Sequence, residues 1–399
     1  MKKTLLSAIT LLCAVHTSFA ADIYVNNSGQ PGTWSTITLA LAASAPNDRI
    51  FVSPYGAYTE NLTISKNLTI ASAVSGTTVN VVGNVTIVGI ANMQLQIIGF
   101  EFSSTITAQT GSASLSGYSD IYIVDCKASG ISGQAFNRMH ILYCQMPSTS
   151  ITFLDGDVRG STFLDLTVND GPNAGIGDTT FIIGNSFRRL IWGNDDNYMF
   201  VANNYIFYNA NSYAMYFTKT HFNSLVTNTI RNNTIRSIGT TNANTAVRFI
   251  NTAGLNWGNV VFYNNILSNS FAACGCGVVI GSCLVTVAAN KPVFYYNNLE
   301  NFTDFFGQNI AGNVTGATGT VDALGRATGT NQIDQGSPSL EYYDIDLTRN
   351  DMGTFGGPYS IDNYMNTADG KARVYDLNMP FEIWSGSTPQ VKAEATHIK

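Results

Sequence analysis

Acidic and basic side chains concentrate between residues 155 and 196 and could together perform acid–base chemistry. The acidic members are Asp155, Asp157, Asp165, Asp170, Asp178, Asp195 and Asp196, and the basic members are Arg159, Arg188 and Arg189. Two carboxylates about 5–10 Å apart can hydrolyse a glycosidic bond. Carboxylates that hold calcium, with an arginine beside them as base, can instead abstract a proton next to a carboxylate group.

The predicted catalytic set within this cluster is Asp165, Arg188, Arg189, Asp195 and Asp196, with Arg188 or Arg189 as the base. Repeats of about 20 residues would place these side chains on neighbouring turns of the chain, where they could converge on one face. The alternative is that the aspartates lie in solvated turns, where Asp is frequent. His140 and His221, the two histidines of this central region, are interpreted as structural.

A second group of oxygen donors lies near the C-terminus, in the sequence DIDLTRNDMG. Its predicted metal ligands are Asp344, Asp346, Asn350 and Asp351. They alternate like the start of a calcium loop, so calcium is the cofactor that the sequence raises. An EF-hand is excluded, because it would need Gly at Arg349 and Glu at Phe355. A looser calcium site and a plain turn remain as alternatives.

The elements that must position these groups are indicated by an asparagine that returns in one local pattern. A short β-type run precedes the Asn and an apolar residue follows two places on, as in FVANNYI, TIRNNTI and VFYNNIL. The members are Asn185, Asn204, Asn233, Asn265 and Asn297, with Asn298 as an alternative to Asn297. Such repeats, at variable intervals, indicate a solenoid of stacked coils. Because Asn tolerates the left-handed backbone conformation, each one would turn the chain and join a ladder of side-chain amides.

Two cysteines take the place of the asparagine in earlier repeats, Cys126 in IYIVDCKA and Cys144 in MHILYCQM. Stacked strands lie about 4.8 Å apart, which is within the Cα separation that a disulfide accepts. The alternative is a pair of free, buried, stacked thiols. A separate group, Cys274, Cys276 and Cys283, is spaced for a loop clip, with a metal site as the weaker alternative.

Apolar and polar residues alternate with period two around these repeats, which indicates half-buried strands. Phe181, Phe200 and Phe262 precede the ladder asparagines and are predicted to point into the core. The tyrosines that could point outward are Tyr205, Tyr208, Tyr213, Tyr216, Tyr263 and Tyr295. Outward rings either shield the sheet surface or bind sugar rings by apolar stacking.

One short helix is predicted ahead of the strands from the spacing of Trp34, Ile37 and Leu41. Thr33 or Ser35 would cap its start and Pro46 would end it. Such a helix would cover the first coil, whose core would otherwise be open.

This first segment resembles that of bacterial secreted right-handed parallel β-helix proteins of the pectin-lyase-like superfamily. The matching residues are Thr36, Ile37, Ala40, Ala43, Pro46, Asp48, Ile50, Val52, Pro54, Tyr58 and Glu60. GSPSLEYYDIDLTRNDMGTFGGPY is similar to the closing segment of many such proteins. The resemblance spans roughly Asp22 to Tyr359 and implies an all-β, single-stranded right-handed parallel β-helix, or solenoid, with a short N-terminal capping helix.

We predict about ten to twelve coils. The resemblance implies no single activity. The superfamily includes lyases, hydrolases, epimerases and adhesins. The catalytic signatures of pectate lyases and polygalacturonases are missing from this sequence.

Residues 1–20 have the features of a bacterial secretory signal peptide. Lys2 and Lys3 precede an apolar run from Leu5 to Val15, and Ser18-Phe19-Ala20 suits cleavage. The β-helix with its cap is expected over residues 21–359. Residues 360–399 are expected to form a small β tail that either caps the last coil or attaches the protein. We therefore expect a secreted bacterial protein, extracellular or on the cell surface.

The charge of the chain limits which classes of binding partner are expected. The chain has 26 Asp and Glu against 20 Lys and Arg, and 12% of its residues are charged. This acidic balance argues against nucleic acid, and no stretch beyond the signal has the length of a membrane span. Neutral polar faces suit an extracellular polysaccharide or cell-surface glycan, and also self-association into a homo-oligomer. The expected function is to bind or process such a polysaccharide, as a lyase or glycoside hydrolase if it is an enzyme. The alternative is a non-enzymatic structural or adhesive protein.

Overall fold

The computed structural model describes residues 20–110, 118–134, 137–169, 179–193, 198–208, 213–218, 227–238, 245–249, 257–268, 278–280, 291–300, 308–315, 321–344, 346–365, 372–378 and 392–397. Several positions from the sequence predictions lie outside the described residues. They are the signal up to Phe19, and Asp170, Asp178, Asp195, Asp196, His221, Cys274, Cys276 and Cys283.

Parallel strands form three long sheets, here called A, B and C. Within the described residues, sheet A has 13 strands, sheet B has 8 and sheet C has 10. The strands of sheet A are Asp22–Val25, Arg49–Val52, Leu68–Ser72, Gln94–Ile98, Ser119–Val124, Asn137–Leu142, Asp155–Arg159, Thr179–Ile183, Tyr198–Ala202, Asn228–Arg231, Val260–Tyr263, Val293–Tyr295 and Gln308–Ala311.

The strands of sheet B are Gln145–Met146, Thr162–Phe163, Ser186–Phe187, Tyr205–Tyr208, Thr234–Ser237, Ile266–Ser268, Asn298–Glu300 and Val314–Thr315. Those of sheet C are Leu62–Ile64, Val85–Gly89, Thr105–Thr110, Gly130–Gly133, Ile151–Phe153, Asp165–Val168, Arg189–Trp192, Tyr213–Phe217, Thr245–Phe249 and Val278–Ile280. A three-stranded sheet, Ala57–Thr59, Val79–Val82 and Phe100–Phe102, precedes sheet B. Single bridges through Lys127 connect the two.

From Asn137 to Ile280 the described strands pass through sheets A, B and C in the same order again and again. The prediction of an all-β fold built from parallel strands is confirmed. Each passage, here called a repeat, adds one strand to each stacked sheet, an arrangement compatible with a β-helix solenoid. Sheet A has 13 strands, slightly more than the expected number of coils.

The core lies between the sheets and is made of side chains that stack in register from repeat to repeat. One such column in sheet A consists of Ile123, Ile141, Val158, Ile182, Val201, Ile230, Phe262 and Phe294, all of them buried. Identical inward positions on consecutive repeats therefore form one continuous hydrophobic core.

The prediction that three phenylalanines point inward is correct for Phe262 and wrong for Phe181 and Phe200. The latter two are half-buried and lie on the outer face of sheet A. The reason is their distance from the ladder: Phe262 lies three residues before Asn265, whereas Phe181 lies four before Asn185. Side chains alternate along a strand, so a difference of one residue reverses the face.

Two residues join each strand of sheet A to the next strand of sheet B, from Leu142–Gln145 through to Ala311–Val314. The first residue of each pair has a positive φ, for example 53° at Asn203, 51° at Asn232 and 54° at Asn264. The second residue is Cys144 and then Ser161 in the first two pairs, and a ladder asparagine in every pair from Asn185 onward. The expectation that the ladder residue itself is left-handed is thus wrong, because the residue before it turns the chain.

The ladder asparagines form one continuous chain of side-chain hydrogen bonds. The Nδ2 atoms of Asn185, Asn204 and Asn233 each donate to the Oδ1 atom of the next asparagine at 2.9, 2.9 and 3.0 Å. Asn265 donates to Asn297 at 2.8 Å. The same Oδ1 atoms also accept from backbone N–H groups.

The ladder continues beyond the predicted members in both directions. Asn297 donates to Oδ1 of Asn313 at 2.9 Å. At the other end, Ser161 N–H donates to Asn185 at 2.8 Å, and the Ser161 hydroxyl accepts from the backbone of Cys144. Cys126 and Cys144 are free and buried, with thiols directed at backbone carbonyls. The sequence left open a disulfide or a pair of free, stacked thiols, and the structure contains the free thiols.

A helix of seven residues, Ile37–Ala43, lies between the first two strands of sheet A, Asp22–Val25 and Arg49–Val52, so the expectation that it precedes all strands is wrong. Thr36 caps its start, not Thr33 or Ser35. Glu60 accepts hydrogen bonds from the N–H groups of Ile37 and Thr38 at 2.9 and 2.7 Å. Lys66 donates to the carbonyl of Leu41 at 2.8 Å. An anion at the helix N-terminus and a cation at its C-terminus stabilise the helix dipole and fix the helix to the first strands.

Residues 321–344 and 346–365, here called the closing segment, do not extend the stack but lie along the bend between sheets A and B. The left-handed asparagines hold it: Asn203 Nδ2 donates to Gly356 O at 2.6 Å, Asn232 Nδ2 donates to Asn350 at 2.9 Å, and Asn264 accepts from Ser337 at 2.7 Å. Leu340–Tyr342 is a 3₁₀ turn and Asp362–Met365 a short helix. The expectation that this segment closes the end of the coils is therefore revised.

The closing segment remains packed beyond Tyr359. Ile361 is buried and donates its N–H to Thr354 O. The ring of Tyr364 lies so close to Gly184 that a side chain there would meet it at 2.4 Å. Further along, Ala372–Asn378 and Lys392–His397 pair with each other in an antiparallel sheet. The role of this tail as a cap or attachment element stays a prediction.

Replacing Asn233 with Ala should lower the free energy of unfolding by about 1–3 kcal/mol, because its partners lose buried hydrogen bonds. The side chain is fully buried and bonds to Asn204, Asn265 and the Val201 carbonyl. Urea denaturation measures the change. Asn80→Ala, at an exposed strand position, is the matched control and should change little. Equal effects of the two substitutions would contradict a stabilising role for the ladder.

Glu300 is a buried carboxylate of sheet B that faces the closing segment. Its Oε1 atom accepts from Gln332 Nε2 at 2.8 Å and from Asn298 Nδ2 at 3.2 Å. Burial raises the pKa of Glu300 to about 7, despite opposing hydrogen bonds from Ser268 and Gln332. A carboxyl group with a raised pKa in the folded state stabilises the protein when protonated, and this stability is lost as pH rises through about 7.

Glu300→Gln should therefore raise the free energy of unfolding at pH 8 by about 1–3 kcal/mol and leave it unchanged at pH 4. The amide keeps the accepting oxygen but carries no charge to desolvate. Thermal unfolding at both pH values measures the difference. Glu101→Gln is the control, since Glu101 is exposed and pairs with Lys127 at 3.8 Å. A Glu300→Gln variant less stable than wild type at pH 8 would refute the argument.

Candidate functional site

The outward side chains of sheet A from Asp120 to Tyr295 form a continuous surface, here called the outer strip. One outward column of this face runs through Tyr122, His140, Asp157, Phe181 and Phe200. A second column, nearer the bend, includes Arg159, Arg231, Tyr263 and Tyr295. The strip is charged at its N-terminal end and aromatic at its C-terminal end.

The charged end centres on three aspartates and their partners on three adjacent strands. Asp157 contacts His140 Nδ1, and its Oδ2 atom lies 2.7 Å from Arg159 Nε in an ion pair. Arg138 Nε lies 3.3 Å from Asp155 Oδ2, and Arg138 also lies 3.6 Å from Asp120. Each carboxylate is therefore paired with a cation, which fixes the side chains in place.

His140 is held as a cation by its surroundings. Burial lowers the pKa of the imidazole, but the carboxylates of Asp157 and Asp120 outweigh it and raise the pKa to about 9. For Asp157, burial by itself would raise the pKa of the carboxyl group. The positive charges of His140 and Arg159 outweigh burial, so the pKa of Asp157 is lowered. The Tyr122 ring stacks on the imidazole with centroids 4.2 Å apart. At neutral pH His140 is a hydrogen-bond donor and not a base.

The aromatic end presents half-buried rings and stacked guanidinium groups. Arg159 lies over the Phe181 ring at 5.5 Å. The Tyr263 and Tyr295 rings stack with centroids 4.9 Å apart. Such rings offer flat apolar faces and hydroxyl groups.

The closing segment forms one border of the aromatic end. Arg231 lies over the rings of Phe200, Tyr342 and Tyr359 at 4.7, 5.4 and 4.9 Å. Tyr342 also stacks on Tyr263 at 5.4 Å. Burial lowers the pKa of Arg231, and burial beside neighbouring groups raises the pKa of Tyr263 to about 12. Both side chains are thus partly withdrawn from solvent.

Of the predicted catalytic residues, the structure brings together Asp165, Arg188 and Arg189 on sheet C and its edge. Asp165 accepts from Arg188 at 3.0 and 2.7 Å and from Arg189 at 2.9 Å. The hydrogen bond to Asp165 raises the pKa of Arg188, which makes its guanidinium a poorer base. Asp195 and Asp196 lie outside the described residues. Asp155, Asp157 and Arg159 belong instead to the outer strip.

The predicted metal ligands lie together in the closing segment, where their oxygens accept hydrogen bonds. Asp344 accepts from the N–H groups of Asp351 and Gly357, Asp346 accepts from Thr348, and Asp351 accepts from Asp334 N–H. Burial raises the pKa of Asp344 to about 6. Within the described residues, no group of three or more His, Cys, Asp or Glu side chains is arranged to hold a metal. Calcium binding stays a prediction.

Sequence reasoning missed Asp120, Arg138 and His140 as members of one cluster. Each has an outward position in an alternating strand, which is a weak signal by itself. Their pairing depends on the register between repeats, with Asp120 opposite Arg138 and Arg138 opposite Asp155. Repeats of unequal length conceal that register in the sequence.

Comparison of the chain with family models, with curated proteins and with solved structures found no match. Within the part of the chain that the structure describes, no helix has the length and apolar character needed to cross a membrane.

The pKa of His140 predicts a pH-dependent stability. A histidine whose folded pKa is about 9, above its ordinary 6.5, stabilises the fold below about pH 6.5, and this contribution is lost as pH rises through 9. His140→Gln should lower the unfolding free energy by up to about 3 kcal/mol at pH 6 and by much less at pH 10. Chemical denaturation across this range measures it, with Gln96→Ala, an outward position of an earlier strand, as control. A constant difference between wild type and His140→Gln from pH 6 to pH 10 would contradict the pairing.

Proposed function

We propose that the chain is a secreted right-handed parallel β-helix protein that binds an extracellular polysaccharide along the outer strip. The repeated A, B, C order of parallel strands supports the β-helix. The resemblance of the first segment and the signal-like N-terminus support secretion from a bacterium.

One observation carries the binding function: a charged cluster and a row of aromatic rings lie in register on one face. Successive strands advance by about 4.8 Å, which is similar to the length of one sugar unit in an extended chain. The rings can pack on sugar faces, while Arg138, His140 and Asp120, whose side chains are partly exposed, offer donors and an acceptor for hydroxyl groups. A linear polysaccharide laid across the strands would meet both.

Binding is favoured over cleavage by the state of the charged side chains. Asp155, Asp157 and Asp165 are each paired with arginine. Arg188 is the hypothesised base of a calcium-dependent lyase, but it is bound to Asp165 through two nitrogen atoms. These pairs also favour the second candidate, an adhesive or structural cell-surface protein that needs no catalysis. Both candidates require a ligand or surface that recognises the strip.

Tyr295→Ala should weaken polysaccharide binding about tenfold, because it removes a half-exposed ring that stacks on Tyr263. Affinity electrophoresis of the purified protein in gels with alginate, polygalacturonate, xylan, mannan or β-glucan measures the binding. Tyr55→Ala is the matched control, since Tyr55 is 73% exposed and lies off the strip. Equal retardation of both variants would argue against the outer strip as the binding surface. No retardation of wild type in any gel would contradict polysaccharide binding itself.

Incubation with the uronate polymers, with and without calcium, distinguishes a binder from an enzyme. Unsaturated products would establish a lyase, and their loss without calcium would show that the reaction requires the metal. Retained binding without any product is the expected outcome.

A further inference from the structure

A cleft lies between the closing segment and the outer face of sheet B. Its volume is about 470 Å³, and it is lined by Ser186, Tyr205, Ala323, Leu324, Arg326, Phe355, Ile361 and Asp362. It is on the opposite side of the ladder bend from the outer strip. A volume of this size is in the range of small-ligand sites.

The cleft is held in shape by a tight turn of the closing segment. The carboxylate of Asp322 accepts from the N–H groups of Leu324 and Arg326, both at 2.9 Å. Gly325 has a φ of 85°, and a side chain there would meet the Tyr205 ring at 2.5 Å. Only glycine lets the turn approach Tyr205 this closely. Arg236 donates to the Asp322 carbonyl at 2.9 Å, which joins the turn to sheet B.

The lining combines flat apolar surfaces with one pair of opposite charges. Tyr205 and Phe355 supply rings, and Leu324, 66% exposed, supplies an apolar edge. The Arg326 guanidinium lies over the Phe355 ring at 4.4 Å and 3.4 Å from Asp362. Arg326 and Asp362 are 52% and 59% exposed, and an ion pair this exposed is weak and opens readily.

These features decide the chemical class of ligand. An anion would be repelled by Asp362 and a cation by Arg326. A purely apolar molecule would make no hydrogen bond with either charged group. A neutral ring with several hydroxyl groups can accept from the guanidinium, donate to the carboxylate and lay its C–H face on the aromatic rings. We infer that this cleft binds one or two neutral sugar rings, such as the end of a glycan chain.

Saturation-transfer NMR and calorimetric titration with D-glucose, D-galactose, D-mannose, N-acetyl-D-glucosamine and cellobiose test this inference. Wild type should bind at least one of these sugars saturably, with millimolar affinity. Ser186→Phe fills the cleft from the sheet side and should weaken binding more than tenfold. Thr162→Phe, at the in-register outward position of the neighbouring strand, should leave it unchanged.

Arg326→Gln should weaken binding about tenfold without affecting folding, because the side chain is exposed. Arg49→Gln is a matched control, since Arg49 also lies over a phenylalanine ring, at 5.7 Å from Phe51, and pairs with an aspartate, Asp22, at 2.7 Å. If the Ser186→Phe variant does not fold, the comparison of sugar affinity between Arg326→Gln and Arg49→Gln tests the site. Absence of saturable binding to all five sugars, or equal affinities for a variant and its control, would overturn the site.

The cleft and the outer strip can be separated experimentally. Variants of the cleft should retain polysaccharide binding in affinity electrophoresis, and Tyr295→Ala should retain binding of the small sugar. A negative result in one binding assay would therefore not count against the other site.

Discussion

The amide of each ladder asparagine must be hydrogen-bonded, and the rest of the structure depends on this constraint. An amide buried without partners would destabilise the fold by more than one hydrogen bond contributes. Each Asn donates from Nδ2 to the Asn of the next repeat and accepts at Oδ1 from the Asn of the preceding repeat, so these bonds form only when successive repeats stack in register. The ladder therefore fixes the register of sheets A and B, and with it the stacking of the core and the alignment of the outer strip.

The two residues of the bend between sheets A and B have different roles. The second residue points inward and continues the ladder, whereas the first takes the left-handed conformation and directs its side chain outward. At Asn203 and Asn232 this outward amide binds the closing segment. Asparagine suits both places, since it tolerates a positive φ and carries both a donor and an acceptor. The doubled Asn-Asn sequence thus joins the core to the outer layer.

The fold was predictable because its repeated signals are local. An Asn two residues before an apolar residue, after a short β-type run, is visible in the repeats from Asn185 to Asn297. The exact bend was not predictable, since Asn203 and Asn204 read alike in the sequence and only the backbone distinguishes them. The orientation of Phe181 was missed for a related reason, as counting back from the wrong residue of the bend reverses the face.

The candidate site was less predictable because it is assembled across repeats. Asp165, Arg188 and Arg189 were found from their closeness in sequence. Their charges, however, are paired with one another through hydrogen bonds. Asp120, Arg138 and Asp155 meet only through strand register, which loops of unequal length conceal. The path of the closing segment could not be inferred either, since its resemblance to other proteins concerns its own sequence and not the surface on which it lies.

The constant two-residue bend has a consequence for how the chain accommodates insertions and deletions. Ladder positions are separated by unequal lengths of sequence, from 16 residues between Asn297 and Asn313 to 32 between Asn233 and Asn265. None of this variation falls between sheets A and B, so it is absorbed at the other corners of each repeat. The bend side is therefore a smooth edge that crosses many repeats. It is the side where a long segment can lie across the stack, while the remaining corners are free to diverge in length without shifting the register.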